Sequence, residues 1–392
     1  MALFDRLTIW LIATISNLSS RLGLQYSLSQ EQELLRSTIG EFARSEIAPI
    51  ASKIDWEARM PEVLSSKLPE LGLYGVCAPS DYGGAGADFL SLILVIEEMS
   101  KISASIGLQF AVHNAIVCEA FLASSNTELR QSLLGKLVSG SLGAFSFDPR
   151  STIKYEIRAN ELVVNGSSEY VANASSAGGF VVLARAKGGE KAVFGFLREE
   201  ADHFKVGPPR KLLGMRAAGT ARIEFKDARF PISSLLFDPQ ITDTALSQLL
   251  VRSRLAVAAV ALGIGQASID EAVKYSRERK QFNTQIGKFY AIQDFVATDE
   301  IGIQTSRALL YRVSSDLSKS KTPLRDSALA KVSASNAAVQ AARHSIRVHG
   351  GYGFIRDYPV ERYLRDARST QFIMESNESL KASIAESLTF RD

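Results

Sequence analysis

Hydrophobic residues recur at helical spacing along both ends of this chain, and in one block only, residues 142–237, does that spacing give way to short β-rich runs. The runs are Glu161-Leu-Val-Val164, Phe180-Val-Val-Leu183, Ala192-Val-Phe-Gly-Phe-Leu197 and Ala221-Arg-Ile-Glu-Phe225. Turn signals separate them, and Asn165-Gly166 is a strong hairpin cue. Helices, then segregated strands, then helices again describe an α+β multi-domain plan and exclude a doubly wound one. Four parts are expected: an N-terminal helical extension over 1–27, a helical domain over 28–141, a compact antiparallel β domain over 142–237, and a C-terminal helical domain over 238–392.

In the first helical domain, Ser29 precedes an acid-rich first turn, and Leu35, Ile39, Phe42, Ala43 and Ile47 keep one stripe until Pro49. Leu64, Leu68 and Leu71 make a shorter stripe that stops at Gly72. The C-terminal part reads as longer helices over about 246–280, 290–318, 324–348 and 377–389, the pattern of a four-helix bundle. Gly263-Ile-Gly265 imitates a dinucleotide fingerprint, but it follows no strand. These glycines are expected at a close helix contact instead.

With 392 residues the chain can hold several domains, and its net charge of +3 is spread without a basic stripe, which argues against nucleic-acid binding. Two cysteines, Cys77 and Cys118, form neither a disulfide framework nor a Cys-x-x-Cys site, in keeping with a reducing cytoplasm. The four histidines lack metal-ligand spacing, so no metal is expected. Leu7 to Ile15 is too short to span a bilayer. Leu3, Leu7, Trp10, Leu11, Ile15, Leu18 and Leu22 share one helical face, which would dock on the chain's own domain or a neighbouring subunit, or else rest on a membrane surface.

Near the end, His349-Gly-Gly-Tyr-Gly353 stops a long helix, a charge-dense segment follows, and Phe372-Ile-Met374 delivers one acid, Glu375, before the closing helix. An acid at that place is either a catalytic base or an N-terminal capping charge. Arg254, on a largely apolar helix, needs an acid or a ligand.

Order and motifs together resemble the acyl-CoA dehydrogenase family of flavoenzymes from about residue 28 onward. The likeness rests on Tyr275-Ser-Arg-Glu-Arg-Lys-Gln-Phe282 and on Gly350-Gly-Tyr-Gly353 through Arg368. It also rests on Leu71-Gly-Leu-Tyr-Gly75 with Tyr82-Gly-Gly-Ala-Gly86, and on Gly214-Met-Arg-Ala-Ala-Gly-Thr220 with Phe225-Lys-Asp-Ala-Arg-Phe-Pro231.

The resemblance implies FAD between the β domain and the bundle, assembly as a homodimer or homotetramer, and α,β-dehydrogenation of an acyl-CoA in fatty acid metabolism. An electron-transfer flavoprotein is the implied acceptor. It assigns the base to Glu375, because the alternative position of some relatives is Ser253 here, and it leaves Glu378 to cap the last helix. Arg254 and Ser253 would lie at the substrate. Arg279, Phe282, Arg347, Gly350, Gly351, Phe145, Phe147, Tyr170 and Asn377 would lie at the cofactor. The family's threonine–glutamate–proline run appears as Phe145-Ser-Phe-Asp-Pro-Arg-Ser151, shorter and without glycine, with Asp148 near the threonine's place. Its tryptophan–isoleucine–threonine–asparagine run appears as Tyr170-Val-Ala-Asn173. These departures keep two alternatives open: a flavin oxidase or monooxygenase on the same fold, and a flavin-free acyl-CoA-binding or scaffold protein.

Overall fold

The computed structural model describes residues 28–148, 150–317 and 323–389. The expected helix face over Leu3 to Leu22 lies outside the described residues.

Helix α1 (Gln30–Phe42) starts where a hydrogen-bonding cap is available: Ser29 and Gln32 exchange side-chain and backbone hydrogen bonds in a capping box. Pro49 does not end the stripe. The chain passes through a π-turn (Ala43–Ile47) and a 3-10 turn (Ala48–Ile50), whose first turn tolerates proline, into α2 (Ala51–Glu57). Then follow α3 (Glu62–Glu70), α4 (Phe89–Ile102), α5 (Ala104–Val112), a π-turn at His113–Cys118, α6 (Glu119–Leu122) and α7 (Thr127–Ser139).

The central sheet comprises β1 (Gly143–Ser146), β2 (Lys154–Arg158), β3 (Glu161–Val171), β4 (Gly179–Arg185), β5 (Lys191–Leu197), β6 (Phe204–Pro209) and β7 (Ala221–Pro231). All four β-rich runs lie in strands. The sheet is mixed rather than wholly antiparallel, because β1 runs parallel to β4 and β2 meets β4 at the single parallel pair Lys154–Arg185. Its core is aromatic: Phe180, Phe194, Phe196, Phe204, Phe225 and Phe230 make stacked and edge-to-face contacts.

Asn165-Gly166 is not the hairpin turn. The β2–β3 turn is Ala159-Asn160, both residues at positive φ (47° and 66°), and Arg158 pairs with Glu161 across it. Gly166 marks instead a register shift within β3, at φ 114°, where a Cβ would stand 2.2 Å from the Thr152 carbonyl oxygen.

The C-terminal part holds α8 (Thr242–Glu278), a small hairpin β8 (Lys280–Gln281) and β9 (Thr284–Gln285), α9 (Tyr290–Ser315), α10 (Leu324–His349), α11 (Val360–Thr370) and α12 (Asn377–Thr389). The charge-dense segment is thus itself a helix, α11, added to the four expected. Arg362 and Asp366 are buried with it, and Arg365 is half-buried against Asp55 and Glu361, so polarity conceals its packing. Ala104–Leu122 and α8 are long and apolar enough to cross a membrane, yet 89% and 78% of their apolar windows are buried inside the fold.

The glycines of α8 act at helix contacts. A Cβ at Gly263 would lie 2.4 Å from the Glu97 carbonyl oxygen on α4, and one at Gly265 would lie 2.3 Å from Ile303 Cδ1 on α9. No phosphate cradle forms there.

Candidate active site

Glu375 stands in the turn between α11 and α12. Its N–H bonds back to the Ile373 carbonyl (2.8 Å), which closes a three-residue turn around Met374 at φ 62°. A non-glycine residue at that φ is strained. Ser376 caps α12, its hydroxyl accepting the Ser379 N–H at 3.1 Å, so neither Glu375 nor Glu378 carries that task.

Arg254 of α8 meets this acid. Arg254 Nε lies 2.7 Å from Glu375 Oε2 and its NH2 lies 3.0 Å from Oε1, while NH1 donates to the Leu324 carbonyl at 2.9 Å. Arg254 is 7% exposed, and a buried guanidinium with all three nitrogens partnered satisfies the demand its sequence position raised. Ser253, beside it, is buried and donates to the Leu250 carbonyl at 2.8 Å.

Asn377 is turned inward. Its Oδ1 accepts from Lys331 Nζ (2.9 Å), and its Nδ2 donates to Ser335 Oγ (2.9 Å) and Asn336 Oδ1 (3.1 Å). With its amide engaged and the residue 1% exposed, Asn377 anchors α12 to α10 and offers no open face to a cofactor. Lys331 and its α10 neighbours were missed from sequence, because a lysine in line with Ser327, Ala334, Ala338 and Ala342 reads as a solvated face.

A second cluster forms at the other end of α10. Tyr275, Arg279, His349, Gly350, Gly351 and Tyr352 line a cleft of about 490 Å³. Gly350 adopts φ 59°, and a Cβ there or at Gly351 would meet open space. The Arg279 guanidinium faces the Tyr352 ring at 5.9 Å. His349 donates from Nδ1 to the Ser345 carbonyl (2.8 Å), which leaves Nε2 a buried acceptor with no partner among the described residues. Burial holds that imidazole below its ordinary pKa, so it stays neutral. Phe282, 91% exposed at φ 50°, forms the tip of the β8–β9 hairpin beside this cleft.

Of the remaining expected residues, Arg347 lies apart, over the Phe295 ring at 4.4 Å in a groove it shares with Gln340, Arg343 and His344. Phe145 and Phe147 stack on one another with centroids 6.0 Å apart. Tyr170, 54% exposed, has the guanidinium carbons of Arg150 and Arg210 at 5.9 and 5.6 Å from its ring centre. Asp148 is compensated by the Arg150 main-chain N–H at 2.9 Å and Nε at 3.2 Å. The Glu375 and Arg279 clusters share no hydrogen bond, ion pair or ring contact among the described residues.

Comparison with known proteins identifies the assembly of these parts. Residues 29–141 match the profile of the acyl-CoA dehydrogenase N-terminal domain, and residues 243–389 that of its C-terminal domain. The short-chain specific acyl-CoA dehydrogenase of Clostridium acetobutylicum is 31% identical over 377 residues, 92% of this chain and 99% of the relative. An acyl-CoA dehydrogenase of Bacillus subtilis is 34% identical over 364 residues, 90% and 96% of the two chains. The solved butyryl-CoA dehydrogenase of Megasphaera elsdenii superposes with a TM-score of 0.88 at 26% identity, covering 93% of this chain and 99% of that one. Matched at both helical ends and aligned with its relatives almost throughout, the chain belongs to the acyl-CoA dehydrogenase family of oxidoreductases.

Proposed function

We propose that this protein oxidises an acyl-CoA thioester to its α,β-unsaturated product, with Glu375 as the base and FAD as the oxidant. The observation that carries the reading is one acid, mostly buried, set on a strained turn and gripped by Arg254. In the reaction the α C–H bond breaks and its proton passes to a Glu375 carboxylate oxygen. The β-hydrogen leaves with its electron pair, and the α,β double bond forms. FAD, when bound, supplies the acceptor for that hydride.

Both Glu375 oxygens accept from Arg254, which fixes the carboxylate and leaves each oxygen a second lone pair that can take a proton. Ile373 and Met374 pack beside it against the apolar core, which keeps water from competing for the carboxylate.

The residues present fit a dinucleotide. Arg279 gives a multi-donor cation for the diphosphate, Gly350 and Gly351 leave the main chain open to approach, and His349 Nε2 is an acceptor awaiting a donor. Tyr170 offers an aromatic face on the β domain for the flavin ring. The separation of the Arg279 cluster from Glu375 within one subunit supports a cofactor shared between two copies, hence a homodimer or homotetramer. The names of the relatives support a short acyl chain, and an electron-transfer flavoprotein is the expected electron acceptor.

The purified protein should show a flavin absorption band that butyryl-CoA bleaches without oxygen. Glu375→Gln should keep the band and lose bleaching by about 10³-fold. Near-normal bleaching by that variant removes Glu375 as the base. Colourless protein that takes up no FAD points to acyl-CoA binding alone, and turnover driven by oxygen with no added acceptor points to an oxidase.

A further inference from the structure

The main chain that carries Glu375 is held from α10 by a buried lysine. Lys331 is 1% exposed, and its Nζ donates to the Glu375 carbonyl at 2.7 Å and to Asn377 Oδ1 at 2.9 Å. Burying an amine is costly, and these two hydrogen bonds are the return on it. Burial pushes the Lys331 ammonium down to about 8, although the nearby Glu375 and Glu378 oppose that shift. Charged or neutral, the amine retains the two donors its two acceptors need.

What Lys331 grips is a turn under strain. Met374 sits at φ 62° and the Glu375 N–H closes onto Ile373, a conformation that costs about 1–3 kcal/mol and persists only where its surroundings over-determine it. Here α10 supplies those surroundings. Besides Lys331, Asn336 Oδ1 accepts from both Gln371 Nε2 (2.8 Å) and Asn377 Nδ2 (3.1 Å), and the Asn377 N–H returns to the Gln371 carbonyl at 2.9 Å. Arg254 touches only the side chain of the acid. The two tasks are therefore divided: Arg254 orients the carboxylate, while the hydrogen bonds from α10 fix the backbone that carries it.

We infer that Lys331 is a positioning residue, which holds the strained turn so that the Glu375 carboxylate stands at one place against the substrate α-carbon. This rests on the reading of Glu375 as the base. A displaced base costs chemistry rather than binding, because about 1 Å of misplacement is worth on the order of 100-fold in rate.

Lys331→Met preserves length and apolar bulk and removes both donors. The variant should keep its flavin band and its KM within about threefold, while kcat falls about 100-fold. Solvent exchange of the α-proton of bound butyryl-CoA should fall in step with kcat. Lys331→Gln, which retains a shorter donor, should lie between the two and serves as the test should Lys331→Met not fold. A lower melting temperature with unchanged kcat in the folded protein would make Lys331 merely structural and overturn the inference. Glu375→Gln is assayed in parallel. If it stays active, the base assignment fails; if it is dead while Lys331→Met turns over normally, only the positioning role fails.

Discussion

Single residues in this fold declare themselves in sequence when their chemistry conflicts with their neighbours. Arg254 did, being a cation on an apolar helix, and Glu375 did, being an acid after an apolar triplet. Lys331 did not, because a lysine among alanines and serines reads as the wet side of a helix. His113 gave no signal either, yet it joins two domains. Its Nδ1 accepts the Gly143 N–H at 2.8 Å, so Nε2 carries the proton and donates to the Tyr74 carbonyl at 2.9 Å. Burial pushes its pKa down to about 4 from 6.5. The unfolded chain thus binds the proton first, and stability is lost as pH falls from 6.5 through 4. Asp366 opposes this. Burial raises its carboxyl to about 6 from 3.8, against the Met215 N–H that it accepts, so its contribution is fully present below 3.8 and lost as pH rises through 6. In the wild type the two slopes partly cancel. Asp366→Asn leaves His113 alone, and its unfolding free energy should drop by about 2–3 kcal/mol more than wild type between pH 6.5 and 4. Denaturant titrations at the two pH values check this, and equal drops in both proteins would refute it.

Elements were legible where one periodicity ran unbroken. The long helices and the four β-rich runs lie where their patterns put them, and the Ser29 cap follows from local hydrogen bonding alone. What failed were features set by partners far away in sequence. Asn165-Gly166 has turn chemistry, but Ala159-Asn160 makes the turn because the β2–β3 register pairs Arg158 with Glu161. Helix α11 went unread because Arg362 and Asp366 are buried with it, where a helix face is expected to be apolar. The α8 glycines allow a sharper statement. A methyl at Gly263 would stand 2.4 Å from a main-chain carbonyl of α4 and 2.6 Å from Ser100 Cβ, and neither atom moves without parting the helices. Gly263→Ala should therefore cost about 1–3 kcal/mol. Gly302 sits in α9 with its nearest neighbour, Ala337 Cβ, at 3.6 Å, an ordinary contact. Gly302→Ala should be neutral or stabilising by up to about 1 kcal/mol through helix propensity. Urea midpoints of the two variants should move apart, and a common shift would contradict close packing of α4 on α8.

At the scale of the whole molecule, the sequence shows three kinds of segment but not what fastens them together, since that depends on side chains hundreds of positions apart. Besides His113 and the α4–α8 contact, α11 is the fastening that reaches all three. Arg365 reaches Asp55 of α2 through both terminal nitrogens (3.1 and 2.7 Å), the Leu213 carbonyl of the β6–β7 connection (3.0 Å), and Glu361 on its own helix through Nε (2.7 Å). One residue on, Asp366 takes the Met215 N–H at 2.6 Å, and Gly214 is so close that a Cβ would lie 2.2 Å from the Arg365 carbonyl oxygen. A single helical turn thus ties the N-terminal helices, the sheet domain and the bundle, and five residues after the helix ends stands Glu375. Loss of the guanidinium strands Asp55 and Glu361, both mostly buried, side by side without their cation. Arg365→Ala should cost about 3 kcal/mol, discounted for partial exposure from the range for buried pairs. Because the broken contacts lie between domains, the loss should also divide the unfolding transition: amide hydrogen exchange of the sheet and of the helices, lost together in urea in the wild type, should separate. The same loosening reaches the acid through α11, so kcat in the folded variant should fall. Coincident transitions with full kcat would mean that the three parts are fastened elsewhere.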